Sequence, residues 1–140
     1  MPCLCATTRL AARAITRVYE REFRAVGLQA PQFALLMQIS QKEATSQSEL
    51  MKDIAMDQTT LSRNVAVLVR RKWVKSEAKG RQRLYTITQS GHAMLDRAKP
   101  LWKKAQDAMR EALGPDWELV QGALSRLTMA AESTQLKETA

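Results

Sequence analysis

The sequence predicts a mainly α-helical chain with a small β-hairpin wing (α+β): a winged helix-turn-helix set between long N- and C-terminal helices. Three observations predict it. Apolar residues recur at intervals of three and four through most of the chain, the period of a helix with one buried face. Between Ser46 and Thr88, two short helical patterns separated by a tight turn run directly into two strand-like segments joined by the basic tip Lys79-Gly80-Arg81-Gln82-Arg83. The net charge of +8 is also localised: residues 58–104 carry +10, whereas residues 1–57 sum to +1 and residues 105–140 to −3. A basic region that coincides with a helix-turn-helix pattern points to nucleic acid rather than to a merely solvated surface.

From about Leu10 to Val26, Ala11, Ile15, Val18, Tyr19, Phe23 and Val26 share one helical face, between arginines at 9, 13, 17, 21 and 24. Gly27 suits the C-terminal cap of that helix, and Pro31 suits the first turn of the next, which carries Phe33, Leu36, Met37 and Ile39. Ser46-Gln47-Ser48-Glu49 matches a capping box, so a third helix starts there and buries Leu50 and Ile54. A turn at about Ala55–Met56 leads to Asp57, a cap for the fourth helix. At 100° per residue, Leu61, Val65, Leu68 and Val69 face inward on that helix while Thr59, Arg63, Ala66, Val67 and Arg70 face out. Small residues beside arginines let a backbone approach a groove floor while guanidinium groups reach bases and phosphates. Trp73–Lys79 and Arg83–Thr88 read as strands, with Gly80 at the hairpin tip. A long helix follows over about Thr88–Leu113, striped by Met94, Ala98, Leu101, Ala105 and Met109 and bent by Pro100. Gly114-Pro115 ends it and opens a last helix with Trp117, Val120, Leu124, Leu127 and Ala131 on one face.

With 140 residues, 45% of them hydrophobic, the chain suits one domain with a sizeable core. No run of about 18 apolar residues is present, so no membrane partner is expected. Met1-Pro2-Cys3-Leu4-Cys5 lacks the order of a secretory signal, and a cytoplasmic protein is expected. His92 is the sole histidine and the two cysteines are one residue apart, which excludes a structural zinc set; no metal and no cofactor is expected. Met37, Met51, Met56, Met94 and Met109 fall at core spacings, although methionine-rich walls also suit an adaptable ligand pocket.

Taken together, Gly27-Leu28 with Pro31-Gln32-Phe33-Ala34-Leu35-Leu36, the segment Asp57-Gln58-Thr59-Thr60-Leu61-Ser62-Arg63, and Leu84-Tyr85-Thr86-Ile87-Thr88-Gln89-Ser90-Gly91 resemble the MarR family of winged-helix transcriptional regulators. The resemblance covers nearly the whole chain, 1–140. It implies a DNA-binding lobe at 31–88 and dimerisation helices at 1–30 and 89–140. It further implies a homodimer that places two recognition helices in successive major grooves of double-stranded DNA, on a pseudo-palindromic operator with half-sites about 10 bp apart. A repressor released by a small-molecule ligand or an oxidant would fit. Two departures stand out. Lys72-Trp73 replaces the glycine usual after the recognition helix, and Lys79-Gly80-Arg81 lacks the Asp that often precedes the reading arginine of the wing.

On this reading Thr59, Thr60 and Ser62 supply hydrogen bonds to phosphates and base edges, and Arg63 is the leading base contact. Arg70, Lys75, Lys79 and Arg83 hold phosphates and set register, whereas Arg81 suits the negative potential of a narrow minor groove. The segment from Cys5 through Arg9 and Arg13 to Tyr19 is similar to the organic-hydroperoxide-sensing branch of the same family. There a first-helix thiolate becomes a sulfenic acid and a tyrosine, here Tyr19, bonds the sulfur in a dimer pocket; a second tyrosine of that branch falls at Ala30, where this chain has none. Such a cysteine must be an accessible thiolate. Cys3 would resolve oxidised Cys5 across the dimer, since a bridge between residues two apart is strained. An inert Cys5 in a ligand-responsive or constitutive regulator is the plainer alternative.

Two other classes remain open. A DNA-binding enzyme using Cys5 as nucleophile would need an acid or base that the sequence does not display, having no histidine near Cys5 and no glycine-rich phosphate loop; no catalytic residue is assigned. A protein-interaction module whose basic surface meets acidic partners differs from a DNA reader in binding no defined duplex.

Overall fold

The computed structural model describes residues 3–139. Met1 and Pro2, which begin the segment read as no secretory signal, and Ala140, which ends the expected domain, lie outside the described residues. Among the described residues, six α-helices and three strands follow in order: α1 (Leu4–Phe23), α2 (Ala30–Ser40), β1 (Thr45–Ser46), α3 (Gln47–Asp53), α4 (Gln58–Arg70), β2 (Val74–Lys79), β3 (Gln82–Ile87), α5 (Gln89–Leu113) and α6 (Trp117–Thr139). The chain forms two compact units, residues 1–105 and 106–140.

The first unit holds the core. Phe23 of α1, Leu35, Leu36 and Ile39 of α2, Leu50 of α3, Leu61 and Leu68 of α4, Val74 and Tyr85 of the sheet, and Leu95 and Ala98 of α5 pack into one apolar cluster. The rings of Phe23 and Phe33 lie 4.8 Å apart, joining α1 to α2. At the other side of α1, the Glu22 carboxylate takes Lys104 Nζ of α5 at 3.1 Å.

α1 begins six residues before the expected Leu10, so Cys3 occupies its N-cap and Cys5 its first turn. It ends in a tight turn at Arg24–Val26, closed as expected by Gly27 in the left-handed region, φ 67°. α2 starts at Ala30 with Gln29 and Gln32 exchanging cap hydrogen bonds, an alternative to the usual Ser or Asp cap. Ser46 Oγ accepts the Glu49 amide at 3.3 Å, the expected start of α3, while the Glu49 carboxylate also takes Lys42 Nζ at 2.8 Å. That lysine, by hydrogen bond and charge, holds the Glu49 carboxyl below its ordinary value.

The connection between α3 and α4 runs from Ile54 to Asp57, longer than the two residues expected, because α3 stops at Asp53. The sheet has the order β1-β3-β2, all antiparallel. The hairpin was legible; β1 was not, being a two-residue strand in which Thr45 pairs with Tyr85 and Ser46 with Leu84. Lys79 faces Gln82 across the tip, leaving Gly80 and Arg81 as the turn, and Gly80 has φ 62°. Glycine at the first turn position supplies the positive φ that a two-residue hairpin needs.

α4 ends in a left-handed cap: the Trp73 amide donates to the Leu68 carbonyl at 3.0 Å and the Lys72 amide to Val69 at 2.9 Å, with Lys72 at φ 61°. The motif usually places glycine there. So the replacement of glycine by Lys72 does not change how the helix ends; it fills the same conformation with a side chain. α5 is capped by Thr88, whose Oγ accepts the Gly91 amide at 3.1 Å, and it continues through Pro100.

In the second unit the end of α5 turns at Gly114–Asp116 into α6, and Arg110 stacks over Trp117 at 5.2 Å. Among the described residues α6 buries no side chain, and Leu119, Met129 and Leu136 are 63, 66 and 70 % exposed. These three lie away from the expected stripe of Trp117, Val120, Leu124, Leu127 and Ala131, so α6 is apolar on two sides. No helix among the described residues is long and apolar enough to cross a membrane, and no group of three or more His, Cys, Asp and Glu side chains among them is placed to hold a metal ion.

Candidate nucleic-acid interface

The candidate surface is built on α4. Asp57 anchors its start twice, accepting the Thr60 amide on Oδ1 at 2.8 Å and the Thr60 hydroxyl on Oδ2 at 2.9 Å. These two bonds hold the Asp57 carboxyl below its ordinary value, the backbone amide contributing most. Leu61, Val65 and Leu68 are buried, and their burial turns Thr59, Ser62, Arg63, Ala66 and Arg70 to the solvent. Arg63 and Arg70 make no ion pair or hydrogen bond among the described residues, so their guanidinium groups are available to a ligand. Thr60 stands apart from the other proposed contacts. It is half-buried and its hydroxyl proton is committed to Asp57, leaving only lone pairs to offer outward.

The wing lies beside this helix. Ser46, Gln47 and Ser48 at the start of α3, Gln58 of α4, and Arg81 and Arg83 of the wing line a cleft of about 560 Å³ without an acidic side chain. Two guanidinium groups, the amides of Gln47, Gln58 and Gln82, and two hydroxyls in one cleft favour phosphodiester oxygens, which only accept hydrogen bonds. Arg83 Nη1 donates to Ser76 Oγ at 3.2 Å, which steadies it on the strand. Lys79 is exposed at the tip. Lys75 is less available than its position in the sequence suggests, because Glu77 takes its Nζ at 2.6 Å. The pair raises the lysine and lowers the glutamate from their ordinary values, both by the direct hydrogen bond.

Three contributors escape a sequence reading. Gln47 links elements, donating from Nε2 to Ser62 Oγ at 2.9 Å and facing the Tyr85 hydroxyl with Oε1 at 3.4 Å. Gln58 lines the cleft, and Arg71 lies over the Trp73 ring at 5.2 Å. None carries a composition signal, since each depends on which elements the fold brings together.

Cys3 and Cys5 are free and exposed. Tyr19 lies fourteen residues further along α1, about 21 Å at 1.5 Å per residue, too far to touch Cys5 of the same chain. Burial raises the Tyr19 hydroxyl above its ordinary value. A second cavity, of about 770 Å³, opens between α2 and α5; Phe33, Met37, Pro100 and Trp102 give it apolar walls, and Asp96, Lys99 and Lys103 also line it. Met37 thus lines a cavity as well as packing on the core, so both readings of its spacing apply to it, while Met94 is buried as expected.

The MarR family model matches residues 26–83, which holds α2 through most of the wing. The chain is similar to the Mycobacterium tuberculosis transcriptional regulator MosR in complex with DNA, at 36% identity over 95% of this chain and 98% of that one, with a TM-score of 0.85. A second structure of that regulator aligns at 34% identity over 94% and 96% of the two chains, with a TM-score of 0.79. Bordetella bronchiseptica BpsR, described as regulated in DNA binding by 6-hydroxynicotinic acid, shares the fold at 22% identity over 91% and 94%, with a TM-score of 0.80. No curated protein sequence matches. With a capped recognition helix, a basic wing and this degree of likeness over nearly the full length, the chain belongs to the MarR family and is a DNA-binding transcriptional regulator.

Proposed function

We propose that the chain works as a homodimeric repressor that reads a pseudo-palindromic operator through α4 and is released by a small molecule or by oxidation of Cys5. One observation carries the reading of DNA: the start of α4, fixed by Asp57, presents Thr59, Ser62 and Arg63 outward beside a cleft lined by Arg81 and Arg83. In this reading Arg63 contacts a base, Thr59 and Ser62 bond phosphate or base edges, and Arg70, Lys79 and Arg83 hold phosphates. Arg81 enters the minor groove at the hairpin tip. Lys75 contributes only when Glu77 gives it up, and Thr60 acts mainly through the cap.

The lobe is residues 31–88, and residues 1–30 and 89–140 are the dimerisation helices. Support for the dimer comes from the helices themselves. α6 has no buried side chain among the described residues and α1 leaves Leu4 and Leu10 exposed. Long helices are stable in water chiefly when an apolar face is covered, and a second copy offers such cover. Two copies would set two recognition helices about one DNA turn apart.

Control is assigned to two places. The cavity between α2 and α5 has the size of a small-ligand site and adjoins both the recognition lobe and the expected dimerisation helices. A ligand there shifts occupancy by no more than its difference in affinity for the two spacings of the recognition helices. At Cys5, the thiolate sulfur bonds the outer oxygen of a hydroperoxide as the O–O bond breaks, and with one proton from solvent this yields a sulfenic acid and an alcohol; the Cys3 thiol of a second copy then forms the disulfide with loss of water. A Tyr19 contact with Cys5 also requires a second copy, given the distance along α1. Footprinting on the DNA upstream of the chain's own gene tests the whole reading. Paired protection about 10 bp apart, lost on adding hydroperoxide and restored by reductant, is the expected result. Release that persists in Cys5→Ser protein removes the oxidation step, and unpaired protection removes the dimeric reader.

A further inference from the structure

We propose that Gln47 is a positioning residue that fixes Ser62 as a hydrogen-bond donor toward DNA and makes that orientation depend on the wing. The inference rests on the reading of α4 as the DNA-reading helix. Gln47 is the first residue of α3, half-buried where α3, α4 and β3 meet. Its Nε2 donates to Ser62 Oγ at 2.9 Å, while its Oε1 receives the Tyr85 hydroxyl at 3.4 Å.

The polarity of this chain follows from donor counting. An amide nitrogen only donates and an amide oxygen only accepts, whereas a hydroxyl has one proton and can do both. With Gln47 Nε2 on the serine, Ser62 uses a lone pair inward and keeps its proton for the outside. Phosphate oxygens, guanine N7 and O6, adenine N7 and thymine O4 are all acceptors, so the outward proton is the useful half of Ser62. If the amide flipped, Ser62 would spend its proton on Oε1 and offer DNA only lone pairs. Tyr85 selects between the two arrangements. Tyr85 is 5 % exposed, its position is set by pairing with Thr45 and Ser76 across the sheet, and a phenol donates readily to an amide oxygen. A shift of β3 that withdraws the phenol therefore removes the preference and weakens Ser62 without touching DNA.

A double-mutant cycle tests this on the full-length protein, using fluorescence anisotropy with an operator duplex found by footprinting. Gln47→Met removes the donor at similar length and adds no charge. It should weaken operator binding about five- to tenfold, as Ser62→Ala does, and adding it to Ser62→Ala should cost nothing further. Gln47→Glu separates positioning from packing. The ionised carboxylate takes the Ser62 proton inward, so affinity should fall at neutral pH and recover as the carboxyl is protonated at low pH, relative to the Gln47→Met protein. Urea unfolding of each variant shows whether the lobe is intact, and the comparison of the Gln47→Glu and Gln47→Met pH profiles is independent of any common loss of stability. Additive losses from Gln47→Met and Ser62→Ala, or identical pH profiles for the two Gln47 variants, would overturn the proposal. Should Ser62→Ala leave binding unchanged, the proposal falls while Arg63→Ala still decides whether α4 reads DNA.

Discussion

Replacing Gly91 by alanine sets two opposed effects against each other. Gly91 is the third residue of α5, and by helix propensity alone Gly91→Ala should stabilise by up to about 1 kcal/mol. The packing opposes it. A methyl group at Gly91 would collide with the Trp73 carbonyl oxygen and stand 2.7 Å from Ile87 Cγ1. The carbonyl cannot swing aside freely, because it accepts the Thr88 amide at 3.0 Å. The preceding Lys72 carbonyl accepts Thr88 Oγ at 2.6 Å and Ser90 Oγ at 2.8 Å. Overpacking of this kind costs about 1–3 kcal/mol, and each of the bonds disturbed about 1 kcal/mol more. Sterics should win by about 2–3 kcal/mol, visible as a lower urea midpoint at unchanged slope and, for a chain of this size, as a melting temperature lower by roughly 5–10 °C. Protomer concentration must be held fixed, since dimerisation would shift apparent stability. Repeating the substitution in an Ile87→Ala background identifies the cause: most of the penalty should remain, because the backbone carbonyl is still in the way. An alanine as stable as the wild type, or a penalty abolished by Ile87→Ala, would refute this account of the α5 junction.

Lys72 occupies the left-handed cap position, so Lys72→Gly should hold or raise stability by up to about 1 kcal/mol, while Lys72→Val should lower it; urea unfolding checks both signs. Freeing Lys75 by Glu77→Gln should tighten binding to duplexes of any sequence and steepen the salt dependence by about one counterion, measured as the slope of log K against log salt. The Asp57 carboxyl is held below its ordinary value by the Thr60 amide and hydroxyl, so its contribution is complete above about pH 4 and fades as the pH falls through the lowered folded value. Stability between pH 5 and pH 2, taken by urea unfolding, should lose part of its acid dependence in Asp57→Asn, which caps without titrating; an unchanged profile would contradict the cap.

Most of the fold was legible because its causes are local. Asp57, Gly27 and Gly80 announce their cap and turn roles by residue type, and the inward row Leu61, Val65, Leu68 follows from helical period alone. The start of α1 was missed by six residues because its first turns, Leu4 to Arg9, carry no buried apolar side chain to mark the period. β1 was missed because two residues cannot show alternation, and its existence depends on β3 arriving beside it. The site divides the same way. Outward direction on α4 could be read from spacing, but the Gln47 link, the Glu77 claim on Lys75 and the cleft shared by Gln58, Arg81 and Arg83 are products of tertiary contact.

The central claim is that the outer face of α4 reads base sequence, and Arg63→Ala tests it most directly. Binding should be measured by titration of an operator duplex and a scrambled duplex at the same salt. The account predicts a loss of about 1–3 kcal/mol on the operator, relaxed preference at one base pair in each half-site, and little change on the scrambled duplex. Equal weakening on both duplexes would make Arg63 a phosphate contact and contradict the claim.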